Sequence, residues 1–124
     1  MQIINCTPHA VNIINGEAEL DNRTRSWKLT AEPRSIQTIP ASGICPRCQQ
    51  TEVEQGIVNG IPLITVEYGE IEGLPEPKPD TLYIVSALVA NAGKQIGRTD
   101  LLIPARLVRD ENGRIVGCLA LAGI

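Results

Sequence analysis

The chain has no phenylalanine, one tryptophan and two tyrosines, so aromatic residues make up only 2% of its 124 residues. Any base or ring stacked on this protein must therefore use Trp27, Tyr68, Tyr83 or the plane of an arginine. Glycine patterns of the Walker or Rossmann type are also missing, which excludes the two commonest phosphate-cradling loops.

A basic surface is missing as well, because the formal net charge is −3. Non-specific binding to polymeric nucleic acid needs many lysines and arginines to displace counterions, so we expect no such partner. The charge is uneven, however. Every charged residue between Arg47 and Lys78 is acidic, whereas basic residues concentrate in residues 23–28 and 94–114. Such a chain can still offer a local basic pocket to a small anion.

The first residues lack the basic start of a signal peptide, and no apolar run approaches the length of a membrane span. We therefore expect a soluble, cytoplasmic protein with no membrane partner. The length suits one domain, residues 1–124.

Three Asn-Gly pairs, each between apolar residues in near alternation, predict three β-hairpins with two-residue turns. The turns are Asn15-Gly16, Asn59-Gly60 and Asn112-Gly113. Counting outward from them pairs Ile13 with Ala18, Val53 with Val66, Glu52 with Glu67, Glu111 with Arg114, and Leu107 with Cys118.

One helix is predicted, directly after a strand at residues 81–85. Ser86 is a good N-cap, residues 87–92 are helical, and Gly93 suits the position after the helix. The expected fold is therefore mainly β (β-rich α+β), with antiparallel hairpins and one short helix after a central strand.

The first two candidate sites lie on this helix and on an early strand. The helix N-terminus at Ser86 either binds an anion or is only capped. If residues 23–28 are extended, Arg23, Arg25 and Trp27 project to one side beside Lys28, which suits a phosphate plus a base. The alternative is a core tryptophan with arginines that guard a strand edge.

A third candidate cluster lies late in the chain, where arginines suit phosphates and an amide or carboxylate suits a base edge or a ribose hydroxyl. Its members are Asn91, Arg98, Asp100, Arg106 and Arg109. The alternative is ordinary surface polarity. We expect guanidinium groups from opposite ends of the chain to surround one anion, across a subunit boundary.

The four cysteines are weaker candidates for a metal or redox site. Cys45 and Cys48 form a CxxC, and with Cys6 and Cys118 they supply the four thiols of a structural zinc site. The single cysteines stand in apolar strands, where cysteine packs as a small hydrophobe, and the CxxC lacks the strand-to-helix context of a redox motif. We therefore expect no metal and no cofactor.

Three segments resemble small phage-encoded proteins, in particular the first-described family of Thoeris anti-defence proteins. They are residues 5–13 (NCTPHAVNI), residues 83–91 and residues 108–114 (VRDENGR). Members of that family are sponges that sequester cyclic ADP-ribose-type signals made by bacterial TIR-domain enzymes without degrading them. Some also capture cyclic oligonucleotides.

The resemblance implies a homodimer, or a hexamer built from dimers, with ligand pockets between subunits. It further implies that Tyr83, Asn91 and Arg109 contact the ligand, with Arg25 or Lys28 from the neighbour. Where the family has a phenylalanine, this chain offers only tyrosine or tryptophan.

The leading hypothesis is a non-enzymatic phage sponge for a cyclic nucleotide signal, acting in the cytoplasm of the infected bacterium. The alternative is a structural or interaction module of the phage particle, without a small-molecule ligand. A third hypothesis is a cyclic-nucleotide hydrolase that uses Glu52, Glu67 or His9.

Overall fold

The computed structural model describes residues 1–123, which form ten strands and one helix. The strands are β1 Gln2–Asn5, β2 Val11–Asn15, β3 Ala18–Asp21, β4 Ser26–Leu29, β5 Ser35–Ile39, β6 Arg47–Val58, β7 Ile61–Glu72, β8 Thr81–Ile84, β9 Leu101–Arg109 and β10 Ile115–Gly123, and the helix is α1 Ala87–Gln95. Strands hold 55% of the chain and the helix 7%, which confirms the mainly-β expectation with one short helix after a strand.

Eight strands form one sheet whose main path runs β1-β8-β9-β10-β2-β5, with β4 added to β9 and β3 added to β4. The sheet is mixed, because β1 with β8, β8 with β9, β10 with β2, and β4 with β9 are parallel pairs. The other two strands, β6 and β7, pair with each other in a separate two-stranded sheet.

The core lies on both faces of the large sheet. Tyr83, Val85 and Leu101 pack with Val89 and Ala90 of α1 on one face. Ile84 packs with Val11 and Cys118 on the other. Because adjacent residues of β8 are buried on opposite faces, this strand reads as a continuous apolar run.

Helix α1 begins as predicted, since the Ser86 hydroxyl accepts a hydrogen bond from the Val89 amide at 3.3 Å. It ends later than predicted, at Gln95 rather than before Gly93. Gly97, with φ +87, is the left-handed residue after the helix. Gly93 lies inside the helix, at a position where a Cβ would collide with Leu101 of β9.

Only one of the three Asn-Gly pairs forms the expected two-residue turn. Asn59 and Gly60 have φ values of 53° and 76°, as a type I′ turn requires. Gly113 alone is left-handed in the last pair, and neither Asn15 nor Gly16 is. The hairpin predicted at Asn15-Gly16 is wrong: β2 pairs with β5 and β10, while β3 pairs with β4.

Bulges alter the predicted registers. Gln55 is an extra residue in β6, so that Glu54 pairs with Ile64 and Glu52 with Val66. The predicted pairs Val53–Val66 and Glu52–Glu67 are therefore wrong, and the two acids lie on opposite faces.

In the last hairpin the turn is one residue longer than predicted, because Asp110 rather than Glu111 is bonded to Arg114. A bulge between Ile115 and Gly117 compensates for the longer turn. Leu107 consequently lies opposite Cys118, as predicted.

No helix within residues 1–123 has the length and apolar character needed to cross a bilayer.

Candidate functional site

Basic side chains gather where β4 meets β9. The two strands join at the parallel pair Trp27–Val108, and Lys28, Arg106 and Arg109 all lie within two residues of that pair. We call Trp27, Lys28, Arg106 and Arg109 the β4–β9 junction. The structure therefore brings together one cation from the early basic segment and two from the late one.

The indole of this junction is paired with a guanidinium. Arg106, which has φ +53 and thus departs from regular strand geometry, places its guanidinium carbon 5.7 Å from the centre of the Trp27 ring. That distance is within the range of a cation–π contact. The guanidinium beside the indole comes from Arg106, and not from Arg23 or Arg25 as predicted for residues 23–28.

A cleft of about 410 Å³ opens beside the junction, lined by Lys28, Leu29, Val108, Arg109, Asp110, Glu111 and Val116. This volume is within the range for small-ligand sites. Strand alternation sends Trp27 and Lys28 to opposite faces of β4, so the indole does not share the face of Lys28.

Arg109 is the least satisfied cation of the cleft. One terminal nitrogen donates to the Gly113 carbonyl at 2.7 Å, which orients the guanidinium across the β9–β10 turn. Its Nε is buried and has no hydrogen-bond partner within residues 1–123. A buried guanidinium nitrogen without an acceptor is costly, so the Arg109 side chain is incompletely satisfied where it lies.

The cleft also holds two acids. One carboxylate oxygen of Asp110 accepts from the amides of Asn112 and Arg114, both at 2.9 Å, and so shapes the turn. Glu111 is exposed at the tip. Lys28 lies 3.6 Å from Asp21 across β3–β4, with its side chain 59% exposed, a weak and easily exchanged pair.

Neither Asp110 nor Glu111 was a sequence-based candidate. Their only sequence signal was their position directly after Arg109 in the last hairpin.

No known protein family, curated protein or solved structure matches the chain.

Arg23 and Arg25 do not join Trp27 on one side of a strand. They lie in the turn between β3 and β4, where Arg25 has φ +57, and both are exposed. The prediction failed because β4 begins only at Ser26, after an Asp21 carboxylate accepts the Arg23 amide at 2.9 Å and starts the turn.

Tyr83 offers no ring face to a ligand. It is fully buried beneath α1, and its hydroxyl donates to the Glu76 carbonyl at 3.0 Å. The stacking role implied for Tyr83 is therefore not possible in this conformation. Its hydroxyl instead anchors the proline-rich connector between β7 and β8, residues 73–80, to the core.

Arg98 and Asp100 bind each other rather than the junction. Arg98 donates two hydrogen bonds of 2.8 Å to Asp100 and a third, of 2.9 Å, to the Pro75 carbonyl. These bonds from Arg98 lower the pKa of Asp100, and Asp100 in turn raises the pKa of Arg98. Their first role is to tie the connector to the start of β9.

Arg98 is also far from Arg109. Arg98 precedes β9 and Arg109 is its last residue, and the nine residues of this strand span about 26 Å at roughly 3.3 Å per residue. Arg98 lines a different cleft, of about 350 Å³, together with Tyr68, Ile71, Leu74 and Ile96. The expectation that Arg25, Arg98, Arg106 and Arg109 surround one anion is thus wrong within one protomer, where only Arg106 and Arg109 share the junction with Lys28.

The two remaining sequence-based site candidates lie at the start of α1 and within it. Ser86 caps the helix, as described above, and Asn91 is exposed. Neither lines the cleft beside the junction.

Three of the four thiols are divided between the two core clusters, with Cys6 and Cys48 in one and Cys118 in the other, and Cys45 is exposed. Burial raises the pKa of Cys6 and of Cys118. Within residues 1–123 no three His, Cys, Asp or Glu side chains come together as a possible metal site. His9 is exposed, and its carbonyl accepts from Asn5 and Thr7.

Proposed function

We propose that this protein is a non-enzymatic sponge that binds a small, phosphate-bearing cyclic nucleotide signal in the cleft beside the β4–β9 junction. The observation that carries the proposal is the placement of two cationic side chains, Lys28 and Arg109, on the wall of one cleft of about 410 Å³. A phosphate accepts charge-assisted hydrogen bonds from both kinds of side chain.

The mixed charge of the cleft favours a nucleotide over inorganic phosphate. Lys28 and Arg109 attract anionic oxygens, whereas the carboxylates of Asp110 and Glu111 accept from ribose hydroxyls or a base amino group. A ligand that carries both kinds of group satisfies all four side chains.

Sequestration without cleavage is the proposed outcome of binding. Asp110 is already engaged with two turn amides. The acids considered for hydrolysis, Glu52 and Glu67, lie on opposite faces of β6–β7 and are exposed. The resemblance to Thoeris anti-defence proteins includes residues 108–114, of which residues 108–111 line the cleft, and this agrees with a sponge that phage make in the infected cell.

In that family resemblance, a neighbouring subunit completes each pocket. Arg25 and Asn91 are exposed on the protomer. We therefore propose them as the residues that reach a neighbour's cleft. Trp27 and Arg106 do not line the cleft, so we do not propose them as ligand contacts.

Titration calorimetry with cyclic ADP-ribose isomers tests the proposal. We expect micromolar or tighter binding to at least one isomer and much weaker binding to inorganic phosphate. Lys28→Ala and Arg109→Ala should each weaken binding about 10- to 100-fold, the loss typical of a charged hydrogen bond.

Arg34→Ala is the matched control, because Arg34 is 72% exposed and outside the cleft. It should bind as the unchanged protein does. If no isomer produces heat or raises the melting temperature, or if Arg34→Ala loses as much affinity as Arg109→Ala, the proposal is wrong.

A further inference from the structure

The cleft that Arg98 lines, of about 350 Å³, lies where the C-terminal half of α1 faces the end of β7. We call it the helix–hairpin cleft. It shares no lining residue with the cleft beside the β4–β9 junction. Its volume falls in the range of small-ligand sites, so it is a candidate site that is separate from the proposed nucleotide site.

One wall of the helix–hairpin cleft is apolar. Ile71 and Leu74 line the cleft and also pack against the core beneath α1, which holds this wall in place. Tyr68 adds an aromatic side chain that is only half-buried, unlike that of Tyr83. A wall of aliphatic groups beside a tyrosine suits a flat apolar group on a ligand.

Arg98 supplies a hydrogen-bond donor that is already fixed in place. Its side chain is only 14% exposed, and its three hydrogen bonds to Asp100 and to the Pro75 carbonyl use Nε and one terminal nitrogen. The other terminal nitrogen, Nη1, has no partner within residues 1–123 and is not buried. Because the guanidinium is already ordered, a ligand oxygen can bind Nη1 at little further entropic cost.

The charge at this cleft favours a ligand that carries a cation. Asp100 neutralises Arg98, whereas Glu70 lines the cleft, is exposed and forms no ion pair within residues 1–123. The carbonyl end of α1, at Gln95, adds partial negative charge, and Lys94 in the same turn does not line the cleft. A phosphate would therefore be repelled here, while an ammonium group beside Glu70 would be attracted.

We propose that the helix–hairpin cleft binds a free α-amino acid with an aromatic side chain. The ammonium group lies beside Glu70, a carboxylate oxygen accepts from Nη1 of Arg98, and the side chain contacts Tyr68 and the aliphatic wall. A zwitterion satisfies both kinds of group at once, which neither an amine nor an organic acid can do. The inference goes beyond the proposed sponge and does not rest on it, because the two clefts have no residue in common.

Amide NMR spectra of isotope-labelled protein, recorded during titration with L-phenylalanine, test the inference and locate the site. Amides of residues 68–71 and 95–98 should shift and reach saturation, and those of residues 108–111 should not. Phenethylamine and hydrocinnamate each lack one of the two charges. Each should therefore bind about tenfold more weakly than L-phenylalanine, or weaker still.

Two substitutions in β7 separate a contact with the ligand from a general effect of charge. Glu70 and Glu72 are both exposed, but only Glu70 lines the cleft. Glu70→Gln should weaken the binding of L-phenylalanine about tenfold, because the ammonium group loses its carboxylate. Glu72→Gln, the matched control, should bind as the unchanged protein does.

Three results would overturn the inference: no saturable shift up to the solubility limit of L-phenylalanine, equal effects of the two substitutions, or an amine or acid that binds as tightly as the amino acid. The nucleotide proposal is tested separately in the same spectra. Cyclic ADP-ribose isomers should shift residues 108–111 and leave residues 68–71 in place.

Discussion

The side chain of Asn5 gives a structural role to residues 5–13, the first segment of the family resemblance. Its buried amide donates to the carbonyls of His9 and Ile39, and its oxygen accepts from the Thr7 amide and hydroxyl. One side chain thus fixes the turn after β1 and ties it to β5.

Asn5→Ala should lower the free energy of unfolding by about 2–4 kcal/mol, because buried carbonyls and a hydroxyl lose their partners. Urea denaturation measures the loss. Asn22→Ala, in the exposed β3–β4 turn, should change stability by less than about 0.5 kcal/mol. Equal effects of the two substitutions would contradict the role given to Asn5.

The Arg98–Asp100 pair predicts a pH dependence of stability. Because Arg98 lowers the pKa of Asp100 in the folded protein, the pair stabilises the fold above the unfolded pKa, near 4, and this stabilisation is lost as the pH falls through the folded pKa. Asp100→Asn should therefore be less stable than the unchanged protein by about 1–3 kcal/mol at pH 7, and the difference should close at lower pH.

Urea denaturation from about pH 7 to pH 2 measures that difference. Glu17→Gln is the control, because its pair with Arg34 is long, at 3.8 Å, and 71–72% exposed; its effect should be small throughout. A difference for Asp100→Asn that does not change with pH would count against the ion pair.

The sequence identified individual arginines as candidate ligand-binding residues. It did not show which of them are already bound to other groups of the protein. Nothing in the spacing of Arg98 and Asp100 distinguishes an ion pair that holds a connector from two ligand-binding groups. The orphaned Nε of Arg109 likewise depends on the β9–β10 turn, whose geometry involves a bulge that the sequence pattern does not reveal.

At the scale of elements, the Asn-Gly pairs predicted hairpins correctly only where at least one residue of the pair adopts a positive φ. The same dipeptide at residues 15–16, 59–60 and 112–113 produces a strand connection without pairing, a two-residue turn and a longer turn, respectively. Tertiary pairing decided the first case, because β5 and β10 compete with β3 for β2 and bury Val11 and Ile14.

The helix supplies an element-scale prediction. Alanine normally stabilises a helix relative to glycine, but at Gly93 its Cβ would collide with Leu101. Gly93→Ala should therefore destabilise the protein by about 1–3 kcal/mol, as overpacking does. Thermal unfolding followed by circular dichroism measures the change.

Asn91→Ala is the control on the exposed side of the same helix. It should be neutral or slightly stabilising, because alanine has the higher helix propensity and no packing changes. If Gly93→Ala proved as stable as Asn91→Ala, the close approach of α1 to β9 would be wrong.

At the scale of the whole molecule, the strand content was predictable and the strand order was not. Apolar alternation reveals individual strands, but the parallel pairs of β1 with β8 and β4 with β9 join segments about 80 residues apart. The second of these pairs builds the β4–β9 junction. The candidate site therefore arises from topology: the sequence indicated its cations but neither its two acids nor which residues lie side by side.

The measurement that tests the sponge most directly is recovery of the ligand after binding. Protein and a cyclic ADP-ribose isomer are mixed in equal amounts and held for hours, free ligand is removed by filtration, and the retained complex is heat-denatured before mass spectrometry. The account predicts that about one intact ligand per protomer is released. Free passage of the ligand through the filter, or steady accumulation of a cleaved product beyond the amount of protein, would contradict it.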